Sequence, residues 1–391
     1  MKGGEEKPGL RVICISSNWP GQRHSFGDVF FKRCLVRLSE NGHRIVVLAP
    51  LVRFRDSRVD GGGRCIIKQP NYFSFSNIQI PLLGNTVHWG NYFKASACLR
   101  ESKVIVSEGF IPEIVYAKFF SSALSAQKVA RHHGIPWVVS VGESVLDYEE
   151  NLIPTHGKSV IQQVLQDADG IEAVSHELSE YLVRRFEVCK SRVHMIPNGV
   201  DTNIFHGSAR EKVRKRLGLD VGKFIICFVG ADNHNKGARR VLRAAQRLRC
   251  KGMDDIGLLL LGNTKNLNSK EGVEYAGRAM PEEMPLYMAA SDIFVLPTTN
   301  EGMSNSILEA MSVGLPVVSS DLSFNREILC EDNGVLVDPL DVEAIAKAIK
   351  RLKINQNLRC QLGLAARRTA ESMDIRIRVK KIEKMLVDVI R

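Results

Sequence analysis

Long apolar runs are missing from this chain of 391 residues. The longest stretches, Ile256–Leu261, Phe224–Val229 and Trp137–Val139, fall far below the ~18 residues that a membrane-spanning helix requires. The opening MKGGEEKPG is charged and leads only into the short run Val12–Ile15, so no secretory leader is expected. Nine cysteines are scattered singly, with no C-x-x-C and an odd total. That speaks against a disulfide framework or a zinc site and for a reducing cytosol. Aromatic residues make up only 7%. With no RNA-binding or helix-turn-helix signature, nucleic acid is a poor partner despite the basic balance.

Two phosphate-binding signatures are missing as well. The loop after the first strand offers only Gly21 and Gly27, not G-x-G-x-x-G, which disfavours a dinucleotide-dependent dehydrogenase. Gly218 to Lys223 has neither the spacing nor the hydroxyl of a P-loop. What is present is a formal charge of +11 with a pI near 9.2. Some face is therefore basic, and anionic headgroups or phosphorylated substrates would suit it.

The chain alternates buried strands with helices, the pattern of parallel α/β sheets. Leu10–Ser16 reads as a first strand, Val29–Asn41 as a helix stopped by Gly42, and Arg44–Ala49 as a second strand. Glu113–Ala117, a helix Ser121–His133 and the strand Pro136–Val141 continue the alternation. That last strand runs into Gly142-Glu143-Ser144. A polar turn at the carboxyl end of a parallel strand is where such sheets place ligands, so Glu143 is a candidate; the alternative is a solvated loop residue. Asp167-Ala-Asp169 has the form of a cation-binding pair, but it stands at the surface entry to the strand Ile171–Ser175, so no metal is expected.

Val193–Phe205 reads as a last strand followed by a polar connector through Pro197, Asn198 and Gly199. The pattern restarts at Lys223. Two α/β domains are expected, residues 1–200 and 201–373, with a cleft between them for a small molecule. In the second domain the strand ending at Gly230 leads to Lys236-Gly237 and a long helix, which suits Lys236 to a diphosphate at a helix N-terminus; the alternative is a surface lysine near a loop glycine. Helix Pro281–Ala290 and strand Asp292–Pro297 then deliver the chain to Glu301.

Glu301 and Glu309 stand eight positions apart in NEGMSNSILEAMSVGLPVVSS. At about 100° per residue they would lie roughly 80° apart on one helix, so a shared face is not expected. Ser306-x-x-Glu309 has the form of a capping box, which would put Glu301 in a loop and Glu309 in the first helical turn. Amides around Met303 to Ser306 would then favour bound phosphate. The plain alternative is a capping glutamate and an unrelated loop carboxylate. The tail from Asp374 to Arg391 reads as an amphipathic helix with six basic residues. It would either dock its apolar stripe on a domain or rest on a membrane surface.

Taken together, ADGIEAVS, MIPNGVDTNIF, FVG with NKG, YAGRAMPEEMPLYMAASDIFVLPT and NEGMSNSILEAMSVGLPVVSSD resemble the retaining glycosyltransferases of GT-B fold, glycosyltransferase family 4. The resemblance runs from about Val12 to the C-terminus. It implies two Rossmann-like domains facing across a cleft, with the C-terminal helix crossing back to the N-terminal domain. It also implies a nucleotide-diphosphate-sugar donor, a hydroxyl acceptor on a glycan or lipid-linked glycan, no metal, and a cytoplasmic enzyme with possible peripheral contact at the inner membrane face. Glu301 matches the glutamate that contacts donor-sugar hydroxyls, Glu309 the one that meets the ribose, and Lys236 the lysine that neutralises the leaving phosphate. Met303, Ser304 and Asn305 match the turn that holds the diphosphate, Arg278 the place where backbone meets the nucleobase, and Gly27 the glycine loop of the N-terminal domain.

Two positions depart from the family pattern. Ala231 stands where many members have arginine, leaving Lys236 alone or with Arg239 in its place. Val141-Gly142-Glu143 stands where many have a histidine. The rival readings are a nucleotide-sugar epimerase on the same fold, a non-catalytic nucleotide-sugar-binding subunit and a basic nucleic-acid-binding protein.

Overall fold

The computed structural model describes residues 9–20, 27–52, 65–74 and 87–391. The chain forms two compact units, Met1–Ile196 with Val379–Arg391, and Pro197–Arg378. The loop after the first strand, which carries Gly21 and Gly27, lies partly outside the described residues.

In the first unit, strands β1 (Arg11–Ser16), β2 (Arg44–Leu48), β3 (Leu51–Val52), β4 (Ile66–Lys68), β5 (Asn71–Tyr72), β6 (Ile114–Lys118), β7 (Trp137–Val141), β8 (Gly170–Ala173) and β9 (Val193–Met195) follow one another. Seven of them form one sheet in the order β4-β2-β1-β6-β7-β8-β9, and β3 pairs with β5. Every pairing in the large sheet is parallel. The central strands are buried on both faces, which is why Val12–Ile15 and Ile114–Ala117 read as unbroken apolar runs rather than alternating ones.

The second unit holds β10 (Phe224–Val229), β11 (Ile256–Leu261), β12 (Val273–Gly277), β13 (Ile293–Leu296), β14 (Val317–Ser320) and β15 (Gly334–Val337). They form a six-stranded parallel sheet ordered β12-β11-β10-β13-β14-β15. This is the Rossmann-like order, in which the connections reverse direction between the first strand and its neighbour. In this unit the reversal falls between β10 and β13. Loops leaving their carboxyl ends therefore diverge from adjacent strands and leave room for a ligand.

Two expectations need correction. The helix expected from Pro281 begins at Met284. Pro285 has no amide to donate, so it is tolerated only in the first turn. The capping box expected at Ser306 does not form. The helix Asn305–Val313 starts one residue before Ser306, with Ser304 at the N-cap and no side-chain cap bond. Glu309 therefore lies in the second turn.

The C-terminal helix Ile375–Ile390 buries Ile375, Val379, Ile382, Met385 and Leu386 within the protein. In the first unit Glu383 accepts from Asn41 Nδ2 at 2.6 Å and meets His43 Nε2 at 3.2 Å. Most of the apolar stripe of this helix is thus spent on packing, while Ile377 stays 43% exposed. Among the described residues no helix is long and apolar enough to cross a membrane.

Candidate active site

The loop after β10 carries Lys236 and the loop after β13 carries Glu301, so adjacent strands bring together residues 65 positions apart. The Lys236 ammonium donates to Glu301 Oε1. Both loops are fixed from below. Lys236 N donates to Asn233 Oδ1 at 2.8 Å, and Thr299 N donates to the Asn235 carbonyl at 2.8 Å. The Arg240 guanidinium, buried in the helix Ala238–Arg249, reaches the carbonyls of His234 and Pro297, each at 2.7 Å. One planar group thus ties both loops at a set distance, which a flexible ammonium could not do.

Arg239, the candidate to stand in for an arginine at Ala231, pairs with the neighbouring loop. Its guanidinium is bidentate to Asp232, at 3.0 and 2.8 Å. Burial pushes the Asp232 carboxyl up, but hydrogen bonds from Arg239 and Asn266 outweigh it and hold the pKa below its ordinary value.

Met303, Ser304 and Asn305 form the entry to the helix Asn305–Val313. The Met303 carbonyl accepts from Asn198 Nδ2 at 3.0 Å. Ser304 leaves the first amides of the helix without a side-chain cap. Asn198 Oδ1 and Asn305 Oδ1 are both buried without a hydrogen-bond partner. Buried acceptors of this kind are costly unless something pairs with them. Glu309 is half-buried one turn further along. Arg278 follows β12, two strands from β10, with its side chain exposed. Its carbonyl accepts from the Tyr275 hydroxyl at 2.9 Å, and the Tyr275 ring stacks on Tyr287.

The remaining sequence candidates lie in the first unit. A β-carbon on Gly27 would sit 2.1 Å from the Asn18 carbonyl oxygen, so only glycine lets the loop close there. Glu143 is not a solvated loop residue. Its carboxylate is half-buried and accepts from the amides of Phe120 at 2.7 Å and Gly142 at 3.0 Å. Burial raises its pKa against the pull of those amides and of Lys118. Asp167 and Asp169 serve the fold: Asp167 accepts from Gln127, Arg131 and Trp137, and Asp169 accepts from the Trp137 amide.

Three participants escaped the sequence reading. Asn198 was visible in IPNGVD but read only as a domain connector. Lys118 had a signal too, a charge ending an otherwise apolar strand. Arg240 had none, because nothing separates it from the neighbouring arginines of a basic helix.

Two family profiles tile the chain: Glycosyltransferase Family 4 over residues 29–204 and Glycosyl transferases group 1 over residues 209–369. The chain belongs to glycosyltransferase family 4. This glycosyltransferase is 27% identical to the putative teichuronic acid biosynthesis glycosyltransferase TuaC of Bacillus subtilis, over 89% of this chain and 90% of that one. It is 26% identical to the D-inositol 3-phosphate glycosyltransferase of Paenarthrobacter aurescens, over 66% and 69% of the two chains. Among solved structures, sucrose-phosphate synthase of Thermosynechococcus elongatus superposes with a TM-score of 0.76 at 18% identity, covering 97% of this chain and 99% of that one. HepE of Anabaena, in complex with UDP and glucose, gives 0.74 at 16% identity, with the same coverage of 97% and 99%. These two likenesses carry the GT-B fold.

Proposed function

We propose that this glycosyltransferase takes a sugar from a nucleotide-diphosphate donor and passes it, with retention, to a hydroxyl of a glycan or lipid-linked glycan in cell-surface polysaccharide or glycoconjugate synthesis. The second unit binds the donor and the first binds the acceptor. The observation that carries this reading is the Lys236–Glu301 pair at the reversal point between β10 and β13, beside an uncapped helix N-terminus.

The chemistry follows from those groups. Breaking the bond between the anomeric carbon and the diphosphate puts negative charge on the leaving oxygen. Lys236 meets that charge, and the first amides of the helix Asn305–Val313 meet the rest of the diphosphate. These groups are held in place before reaction by Arg240, Asn233 and Asn198, so little reorganisation is needed as charge develops. Glu301 accepts hydrogen bonds from donor-sugar hydroxyls, and Glu309 serves the ribose. The unpaired oxygens of Asn198 and Asn305 are further acceptors for the donor. The new bond forms on the face from which the diphosphate leaves, and the acceptor proton passes to the leaving phosphate oxygen.

The relatives support this reading by their names, a putative teichuronic acid biosynthesis glycosyltransferase and a D-inositol 3-phosphate glycosyltransferase, and by a structural neighbour in complex with UDP and glucose. A thermal-shift panel of nucleoside diphosphates and their sugar conjugates tests it. One nucleotide series should raise the melting temperature in a concentration-dependent way. A panel in which no nucleotide shifts the transition would remove the donor assignment.

A further inference from the structure

The second unit has a cavity of about 460 Å³ at the amino ends of β13 and β14, whereas Lys236 and Glu301 follow the carboxyl ends of β10 and β13. Asp292 and Pro316, the residues just before those two strands, line it. One wall is a face of the helix Gln356–Ser372, where Gln356, Arg359, Cys360, Gly363, Leu364 and Arg367 recur at the spacing of a single helical stripe. Across from it stands the last turn of the helix Asn305–Val313, with Gly314. The two helices meet closely, since a β-carbon on Gly363 would lie 2.4 Å from the Gly314 carbonyl oxygen.

The charge around this cavity does not balance. Asp292 Oδ2 already accepts from Arg214 at 2.7 Å and from the Ile225 amide at 2.7 Å. Arg214 is buried and further fixed by the carbonyls of Val221, Lys223 and Ala290. Arg210, which donates to Asp292 Oδ1 at 2.5 Å, is therefore a second cation on one carboxylate. Arg359 donates to the carbonyls of Leu352 and Lys353, which have no charge to answer its own. Arg367 pairs with Glu371 at 3.0 Å. Four guanidinium groups thus stand against two carboxylates, and each guanidinium has five donors to share. The helix Gln356–Ser372 begins at the same wall, capped by Asn355 Oδ1 at the Leu358 amide, and the positive end of its dipole adds to the excess. The facing helix end is closed on itself: the Gly314 and Leu315 amides donate to the Met311 and Ala310 carbonyls at 2.9 and 3.0 Å, which leaves less bare carbonyl to repel an anion.

We propose that this cavity binds a phosphate monoester, with the phosphate held by Arg210, Arg367 and the start of the helix Gln356–Ser372 and the carbon portion lying along Gly363 and Leu364. A dianion matches the surplus of positive charge, and its several oxygens suit planar guanidinium groups. The volume exceeds that of one phosphate and admits an attached polyol or small sugar. This site shares no residue with the donor site and stands at the other end of the strands, so neither assignment depends on the other. The ester is a free metabolite or a lipid headgroup, and both present the same chemistry.

Cys360 lines the cavity and is exposed, so its alkylation reports occupancy, while exposed Cys189, Cys250 and Cys330 serve as controls in the same chain. Labelling by N-ethylmaleimide, read at each cysteine by mass spectrometry, is followed with inorganic phosphate, glycerol 1-phosphate and ribose 5-phosphate at an ionic strength fixed by sodium chloride. At least one phosphate ester should slow labelling of Cys360 by about fivefold or more at saturation, with the other three rates unchanged and with glycerol and ribose inert. The protection should disappear in the double variant Arg210→Gln/Arg367→Gln and persist in Lys236→Ala. Vesicles of phosphatidylglycerol set against phosphatidylcholine distinguish the source. Protection by phosphatidylglycerol alone supports the site as one for a lipid headgroup, and protection by a soluble ester supports it as one for a free phosphate. No protection by any of these probes overturns the proposal. So does protection that survives in the double variant, extends to the control cysteines or is lost in Lys236→Ala. If the double variant does not fold by circular dichroism, Arg367→Gln alone takes its place, with protection expected to fall by about threefold or more.

Discussion

The Lys236 ammonium and the Glu301 carboxylate are bonded to each other across the reversal point of the second sheet. Glu301 is the more enclosed partner, with its side chain 14% exposed against 31% for Lys236. Under the proposed function, a donor diphosphate would compete for the lysine and free the carboxylate for the sugar hydroxyls.

The two glutamates should separate in kinetics. Glu301→Ala is expected to lower kcat by about 10²–10³ with little change in nucleoside diphosphate affinity, since its contacts are made to the reacting sugar. Glu309→Ala should weaken nucleotide binding about tenfold, the equivalent of ~1.4 kcal/mol. Steady-state rates beside calorimetric affinities decide this, and wild-type behaviour in both variants would remove both assignments.

Arg240 should act through the loops it joins. It contacts the His234 and Pro297 carbonyls at once. Lysine cannot span two acceptors in that geometry. Arg240→Lys should raise the donor KM about tenfold, with hydrogen bonds from a charged group worth roughly 1.5–3 kcal/mol each. An unchanged KM would show that the loops hold their spacing without it.

Gly27→Ala should be poorly tolerated because its β-carbon would meet the Asn18 carbonyl oxygen at 2.1 Å. The same oxygen accepts the Asp28 amide at 2.8 Å, so any shift also moves the start of the helix Val29–Glu40. Transfer is expected to fall at least tenfold while nucleotide affinity, a property of the second unit, stays constant. A parallel loss of both would point to general misfolding.

Much of the fold was legible because buried parallel strands leave continuous apolar runs, and glycines such as Gly42 and Gly134 punctuate the helices between them. Glu301 and Lys236 were legible as candidates through their motifs, yet their contact was not. It depends on β13 pairing beside β10, which no local pattern encodes. The capping box at Ser306 was misread because the helix begins at Asn305, behind a Met303 carbonyl that accepts from Asn198, more than a hundred positions upstream. Lys118 and Glu143 meet only through lateral strand register, so their shared environment was out of reach.

Acid should expose the role of Asp374. Burial pushes its carboxyl up, but Arg376 and Thr202 hold it down at about 2. A pKa depressed in the folded state adds stability that is fully present above the unfolded value of about 3.9. That stability is lost as pH falls through about 2. Because Arg376 is well exposed, the contribution is discounted to about 1–2 kcal/mol. Asp374→Asn should therefore lower the melting temperature at pH 7 and narrow the gap to wild type toward pH 2. A gap independent of pH would refute the electrostatic explanation.

The donor assignment is tested most directly by calorimetric titration of UDP, GDP, ADP and TDP into the wild-type protein and the Lys236→Ala variant. One nucleotide should bind the wild type, and its affinity should fall at least tenfold in the variant, the loss of one charge-assisted phosphate contact. Equal affinity in both proteins, or no binding to the wild type, would contradict a nucleotide diphosphate held by Lys236.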